Sequence, residues 1–422
     1  MAAPLSRPAD FDPFEFTWIF RGTHRWSTWR ILGLTFAIPA AVVLAAFLSG
    51  ALGAASDAQL VDDVARIARI GPATSAPDFP LTRDFYSWTQ AAAVMCGVVL
   101  LHTQWKWFSS TLSTLADNGA IVAPADLRST VVSRALRIDR LVDGADPADA
   151  LDQFMTKLMD GLRRRAVPMQ IGQLLVSMVL AMLLVQGQQQ HDLFQVLAPT
   201  GLSPRDRSQW AQDAYSSWWA SNTDRHFVGH ACYLLVVVYA IFMILNFHVV
   251  GILAAYVVIA LYFLAAPSAD WFDRDAHQGW ETVSRAFQTV TLAHLLEAFT
   301  LTDVLIFIGA RNFTWILPLL TLYVLVTPVY FLAPLRAFQR VEREAKRLRT
   351  EDLLAAATDN GVAHDDVPEM APYVAEMVRC QAFRIRPLRY RRWSASTFFA
   401  AVFLPVALAV AQMLFEFRLG AG

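Results

Sequence analysis

An all-α, polytopic transmembrane bundle of about seven helices is the fold class the sequence predicts, and three observations predict it. Of 422 residues, 55% are hydrophobic and only 17% charged, whereas soluble domains carry about a quarter charged residues. The mean hydropathy is +0.38. Seven apolar runs approach or exceed the length of about 20 residues that crosses a hydrocarbon core of roughly 30 Å.

Taken in order, residues 1–30 read as a cytoplasmic, interfacial amphipathic segment, with Phe11 to Trp29 lying along the membrane surface. Residues 31–105 form a transmembrane hairpin from the runs Ile31 to Gly53 and Ser87 to Thr103. The first run is longer than a signal-peptide core and is expected to stay as an anchor. Residues 106–168 form a cytoplasmic helical segment. Residues 169–335 are the transmembrane core, with the runs Gln170 to Leu184, Ala231 to Ala266, Thr289 to Ala310 and Phe313 to Leu335. Residues 336–394 are a second cytoplasmic helical segment, and residues 395–422 close the bundle with the run Thr397 to Phe415.

Orientation follows from the basic residues. Lys106 to Arg165 holds nine of them and Arg336 to Arg392 twelve, against three each in Ala54 to Tyr86 and Gln186 to His230. The first two segments are therefore placed in the cytoplasm, with the N-terminus. The 36-residue run from Ala231 is about 54 Å as one helix, and the parity of crossings favours one long tilted span over two tight ones. Only Lys106, Lys157 and Lys346 are lysines, so 32 of 35 basic residues are arginine. That bias, with abundant alanine, points to a GC-rich bacterium and so to its inner membrane.

The two cytoplasmic segments rhyme. The helix before Asp117-Asn118-Gly119 precedes Pro124 and Asp126, and the helix before Asp359-Asn360-Gly361 precedes Pro368 and Glu369. Asn-Gly stops a helix because glycine takes the left-handed conformation without strain, and proline suits the next helix's first turn. Arg21, His24, Trp26, Thr28 and Arg30 similarly resemble Arg274, His277, Trp280, Thr282 and Arg285. Together these suggest a parallel three-plus-one-plus-three repeat.

Function is read from polar residues inside the apolar runs, where ionisable groups are disfavoured by roughly 2.5 kcal/mol or more. From Arg285 to Asp303 every third residue is polar: Arg285, Gln288, Thr291, His294, Glu297, Thr300 and Asp303. Steps of three residues spiral once around a helix over about 27 Å, which suits a spanning element that lines a polar path. His294 and Glu297 lie one turn apart and suit a gate or proton relay; Arg285 and Asp303 flank them. Bundle-holding hydrogen bonds are the competing explanation.

Asp224, His226 and His230 form a weak candidate metal platform at the outer end of the fourth run. His248 and His294 match in depth and leave bis-histidine haem as a minor alternative. No cofactor is required by the sequence. Pro318, Pro328 and Pro334 in the sixth run and Pro405 in the seventh predict kinks.

The near-neutral charge of -1 excludes nucleic acid as a partner. Cys96, Cys232 and Cys380 suggest neither a disulfide framework nor a zinc finger, and no soluble-enzyme motif is present, which weighs against an enzyme. The leading expectation is a channel or transporter for ions or protons, as a monomer or a homo-oligomer. The alternative is a membrane-anchored signalling or effector protein whose cytoplasmic helices bind a protein partner.

Overall fold

The computed structural model describes residues 5–9, 11, 26–53, 79–127, 129–189, 194, 198, 201–268, 279–308, 321, 323, 325, 339–340, 342–362 and 367–382. Among them the chain is helical, apart from one short ladder. Helix α1 covers Thr28–Leu48 and α2 covers Phe85–Ser109. The short α3 (Thr111–Asp117), strand β1 (Ile121–Val122), α4 (Val131–Ala135) and α5 (Ile138–Leu141) follow. Helix α6 (Ala150–Gln189) is succeeded by α7 (Pro204–Ser217), α8 (Phe227–Leu264), β2 (Ala266–Pro267) and α9 (Glu281–Ile308). Residues 342–359 form α10, and α11 is Val367–Ala382.

Among the described residues, four helical segments are long and apolar enough to cross a membrane: Trp29–Leu48, Phe85–Thr103, Ala150–Gln186 and Asp224–Leu264. Within α9 the apolar stretch is Leu292–Leu301. The long run expected as one span or two is one continuous helix, α8. The run Thr397 to Phe415 and, apart from residues 321, 323 and 325, the run Phe313 to Leu335 lie outside the described residues, with their prolines, as do Arg21, His24, Arg274 and His277 of the expected repeat.

Apolar side chains that point out of the bundle identify the lipid-facing surface. On α6, Val167, Ile171, Leu175, Val179 and Met182 are all exposed, and α1 exposes Phe36, Leu44 and Phe47. In water such surfaces would aggregate; in hydrocarbon they are at equilibrium.

Two apolar cores close the ends of the bundle. At the end marked by the exposed Arg163, Arg164 and Arg165 of α6, Leu112, Leu115 and Ile121 pack with Phe154, Met155, Phe263 and Trp280. Strands β1 and β2 pair antiparallel there, Ile121 opposite Pro267 and Val122 opposite Ala266. Phe11 joins this core, Ser6 hydrogen-bonds Asp149, and the Ala9 N–H donates to Asp152 Oδ1 at 2.8 Å. At the opposite end Trp210, Tyr215, Trp218, Trp219 and Tyr233 pack around Phe194. Gly229 is required there: its N–H donates to Ser49 Oγ at 3.0 Å, and a Cβ would lie 2.0 Å from the Trp219 carbonyl oxygen. Helices α6 and α8 run between these ends in opposite directions, with Ala150 and Leu264 in the arginine-end core and Val185 and Tyr233 in the tryptophan-end core; α1 ends and α2 begins at the tryptophan end, and α9 begins at the arginine end.

Two local expectations divide. Gly119 and Gly361 both take left-handed backbone, at φ +64° and +72°, as helix stops require. Pro124, however, does not open a helix: residues 123–130 are non-helical among those described, because β1 pairs with a strand far along the chain. In the second segment Pro368 and Glu369 do sit in the first turn of α11, so the two segments differ at this step. Helix α6 also runs unbroken across the 168/169 boundary, with Pro168 inside it.

The helices α10 and α11 form a hairpin. Lys346 Nζ donates to the Gln381 carbonyl at 3.1 Å, Arg349 pairs with Glu376 at 3.8 Å, and Asn360 Nδ2 donates to the Tyr373 hydroxyl at 2.8 Å. Ala345 anchors the hairpin in the arginine-end core.

Candidate functional site

Helix α9 packs along α2 and touches α8. Of its three-residue polar row, the side chains of Arg285, His294, Glu297 and Thr300 are described, at successive depths along the helix. Arg285, near its start, pairs with Glu281, one turn earlier. His294 and Glu297 face inward, 6% and 9% exposed. Asp303 falls in the last part of α9, and its side chain lies outside the described residues.

Glu297 is the centre of the site. Its Oε2 lies 3.2 Å from His294 Nδ1 on the same helix, and its Oε1 lies 2.8 Å from His248 Nε2 on α8. The two imidazole rings are 6.2 Å apart between centroids and tilted by 45°. Thus a buried carboxylate bridges two imidazoles from two helices. Each ring nitrogen either donates to the carboxylate or accepts from its protonated form, depending on tautomer, so every bond in the triad is able to exchange a proton.

A cavity of about 30 Å³, the volume of one or two waters, adjoins Glu297, and its lining is apolar apart from Glu297 and Thr300. Ala93 and Gly97 of α2, Ala240 and Phe247 of α8, and Ala293 and Thr300 of α9 line it. Small residues on all three helices leave the space open. The Thr300 hydroxyl is occupied, donating to the Leu296 carbonyl at 2.9 Å.

The opposite face of α8 carries a second polar cluster at similar depth. Gln170 Nε2 donates to Gln173 Oε1 at 2.7 Å and to Asn246 Oδ1 at 3.1 Å, and Asn246 Nδ2 donates to the Phe242 carbonyl at 2.8 Å. Gln170 Oε1 and Gln173 Nε2 are buried without a partner. This cluster holds α6 to α8 with neutral amides alone.

A third polar centre lies at the tryptophan end and was not singled out from the sequence. Asp84, 8% exposed, caps α2 by accepting the Ser87 N–H at 3.0 Å and the Ser87 hydroxyl at 2.5 Å. It also accepts the indole N–H groups of Trp218 at 2.5 Å and Trp219 at 2.7 Å. An Asp three residues before a Ser at the start of an apolar run is an N-cap signal; the two tryptophans, over 130 residues away, leave no local trace. Burial in this cluster pushes the Tyr215 phenol up, partly offset by the Asn222 N–H bonded to it.

The expected metal platform is not assembled. His226 Nδ1 lies 2.9 Å from Ser221 Oγ, and His230 Nδ1 lies 3.0 Å from the Ala220 carbonyl. Both therefore tie down the turn after α7, and no three His, Cys, Asp or Glu side chains form a metal-binding group among the described residues. His248 and His294 do face each other at one depth, as the haem alternative required. The ring nitrogens that would flank an iron instead engage the Glu297 carboxylate, and the adjoining cavity is far smaller than a porphyrin.

No known protein family, curated protein or solved structure matches this chain.

Proposed function

We propose that the chain is a membrane channel or transporter that moves ions or protons along a polar path lined by α9, with Glu297 and His294 as relay or gating groups. One observation carries this reading: a buried carboxylate bonded to imidazoles of two helices and open to a water-sized cavity. Bundle cohesion alone does not call for titratable groups at this depth, since the neutral Gln170, Gln173 and Asn246 cluster performs it on the other face of α8. In this reading the arginine-bearing end faces the cytoplasm of a bacterium, the N-terminus lies there, and seven spans in a three-plus-one-plus-three arrangement complete the bundle. A closed homo-oligomer is compatible with it.

The test is charge movement across proteoliposomes holding the full chain, recorded at both signs of membrane potential and several pH values. Charge movement that disappears in Glu297→Gln supports the reading. None in either protein sinks it.

A second reading is favoured by the hairpin of α10 and α11, which leaves Val367, Val374 and Val378 exposed on one helix. There the spans are scaffold and the hairpin binds a cytoplasmic protein. Loss of a co-purifying partner on Val374→Asp, with charge movement absent, is its expected signature.

A further inference from the structure

Resting on the transport reading above, we infer that the cargo at Glu297 is the proton, delivered by water through the cavity between α2, α8 and α9 and excluded to metal cations.

The donor set decides between proton and metal ion. A dehydrated metal cation needs a shell of several oxygens to replace its waters. Here both Glu297 oxygens are engaged by imidazole nitrogens, and the Thr300 hydroxyl is engaged by a backbone carbonyl. The other described lining residues are alkyl or aromatic. A proton needs no shell, only a chain of groups that both donate and accept.

The cavity lies beside the triad: its lining runs on α9 from Ala293, one residue before His294, to Thr300, one turn beyond Glu297, and on α8 from Ala240 to Phe247. A hydronium in the cavity gives its proton to the Glu297 carboxylate and leaves water. Where His294 carries its proton on Nε2, the carboxylic acid passes its proton to His294 Nδ1 and a water beyond the ring takes the proton on Nε2. One proton enters and one leaves as hydronium, the carboxylate is regenerated, and the ring, now protonated on Nδ1, returns to the first tautomer by turning over before the next cycle.

Among the described residues, the titratable groups facing Glu297 are His294 from its own helix and His248 from α8. Helix α2 presents Ala93, Val94 and Gly97 here. Its nearest inward titratable group, His102, is five residues from Gly97, about 7.5 Å along the helix. Cys96 faces outward.

The experiment uses the full chain in liposomes loaded with a pH-sensitive dye, with the potential clamped. Native protein should acidify the lumen at a rate unchanged when sodium and potassium are replaced by N-methylglucamine outside and only the clamping ion is kept inside. Glu297→Gln should lower that rate at least tenfold. A Gly97 Cβ would lie 3.6 Å from Leu296 and 3.9 Å from Phe247, ordinary contact distances, so Gly97→Ala should fold and conduct. Gly97→Val, which fills the cavity, should lower the rate severalfold at an unchanged melting temperature. Glu297-dependent movement of sodium or potassium overturns the proton assignment and leaves the transport reading standing. Proton flux indifferent to Gly97→Val in folded protein overturns the cavity route. Absence of all flux overturns both readings together.

Discussion

Asp84 and Glu297 are both buried carboxylates that accept hydrogen bonds from nitrogen on other parts of the chain, yet the donors differ in kind. Asp84 is held by two indoles, a hydroxyl and a backbone N–H. An indole N–H donates only, and a neutral indole has no second nitrogen through which to pass a proton on. Glu297 is held by two imidazoles, each with a second nitrogen. The first arrangement fixes a charge in place, and the second allows it to move. The number of hydrogen bonds a buried carboxylate makes therefore says less about its role than whether its partners titrate.

The comparison breaks most visibly at Asp84. Asp84→Ala leaves the indole N–H groups of Trp218 and Trp219 without their acceptor, with an expected destabilisation of about 3 kcal/mol or more. Thermal unfolding in detergent, followed by tryptophan fluorescence, reads it. Glu297→Gln should leave that melting curve nearly unchanged, because a carboxamide both donates and accepts between two imidazoles.

Gly229→Ala tests the same end through the backbone rather than the charge. Its new methyl meets the Trp219 carbonyl, so a destabilisation of about 2–3 kcal/mol is expected. Gly97→Ala, whose Cβ has room, should shift the midpoint little. Equal shifts for the two glycines would show the tryptophan end to be no more tightly built than the middle of the bundle.

Flux sharpens the contrast. The drop of at least tenfold expected for Glu297→Gln corresponds to about 1.4 kcal/mol in the rate-limiting barrier. Asp84→Asn, in protein that still folds, should conduct within about twofold of the native chain.

The smallest effect is alkaline. The folded-state pKa of Tyr215 lies above its ordinary value because burial disfavours phenolate. Its contribution to stability is complete below pH 10 and is lost as pH rises through the raised value. Tyr215→Phe should flatten that part of the stability profile and leave the neutral range alone.

Much of this was legible in the sequence, and the misses have physical causes. The apolar runs that fall on described residues become helices, and the stops at Gly119 and Gly361 hold, because both depend on neighbours in the chain. His294 and Glu297 were legible as a pair because three residues make one helical turn. That His248 completes them is a contact across 49 residues, and only its matching depth hinted at it. Asp84 lies beside no other candidate in sequence, so its tryptophan partners stayed invisible. Pro124 was misread because a helix-start signal competes with a long-range ladder, and here the ladder at 266–267 prevailed. The boundary drawn between 168 and 169 falls inside one continuous helix, α6.

The docking of the N-terminal segment sets an order on biogenesis. Ser6 and Ala9 find their partners at Asp149 and Asp152, 143 positions later, and Phe11 completes a core made mostly of residues beyond Leu112. At about 5–20 residues per second, a ribosome takes roughly 7–30 s to supply those partners. By then α1 and α2 have already emerged from it. Residues 6–11 are therefore made well before the groups they bind, and they close the arginine-bearing end only once the start of α6 is in place.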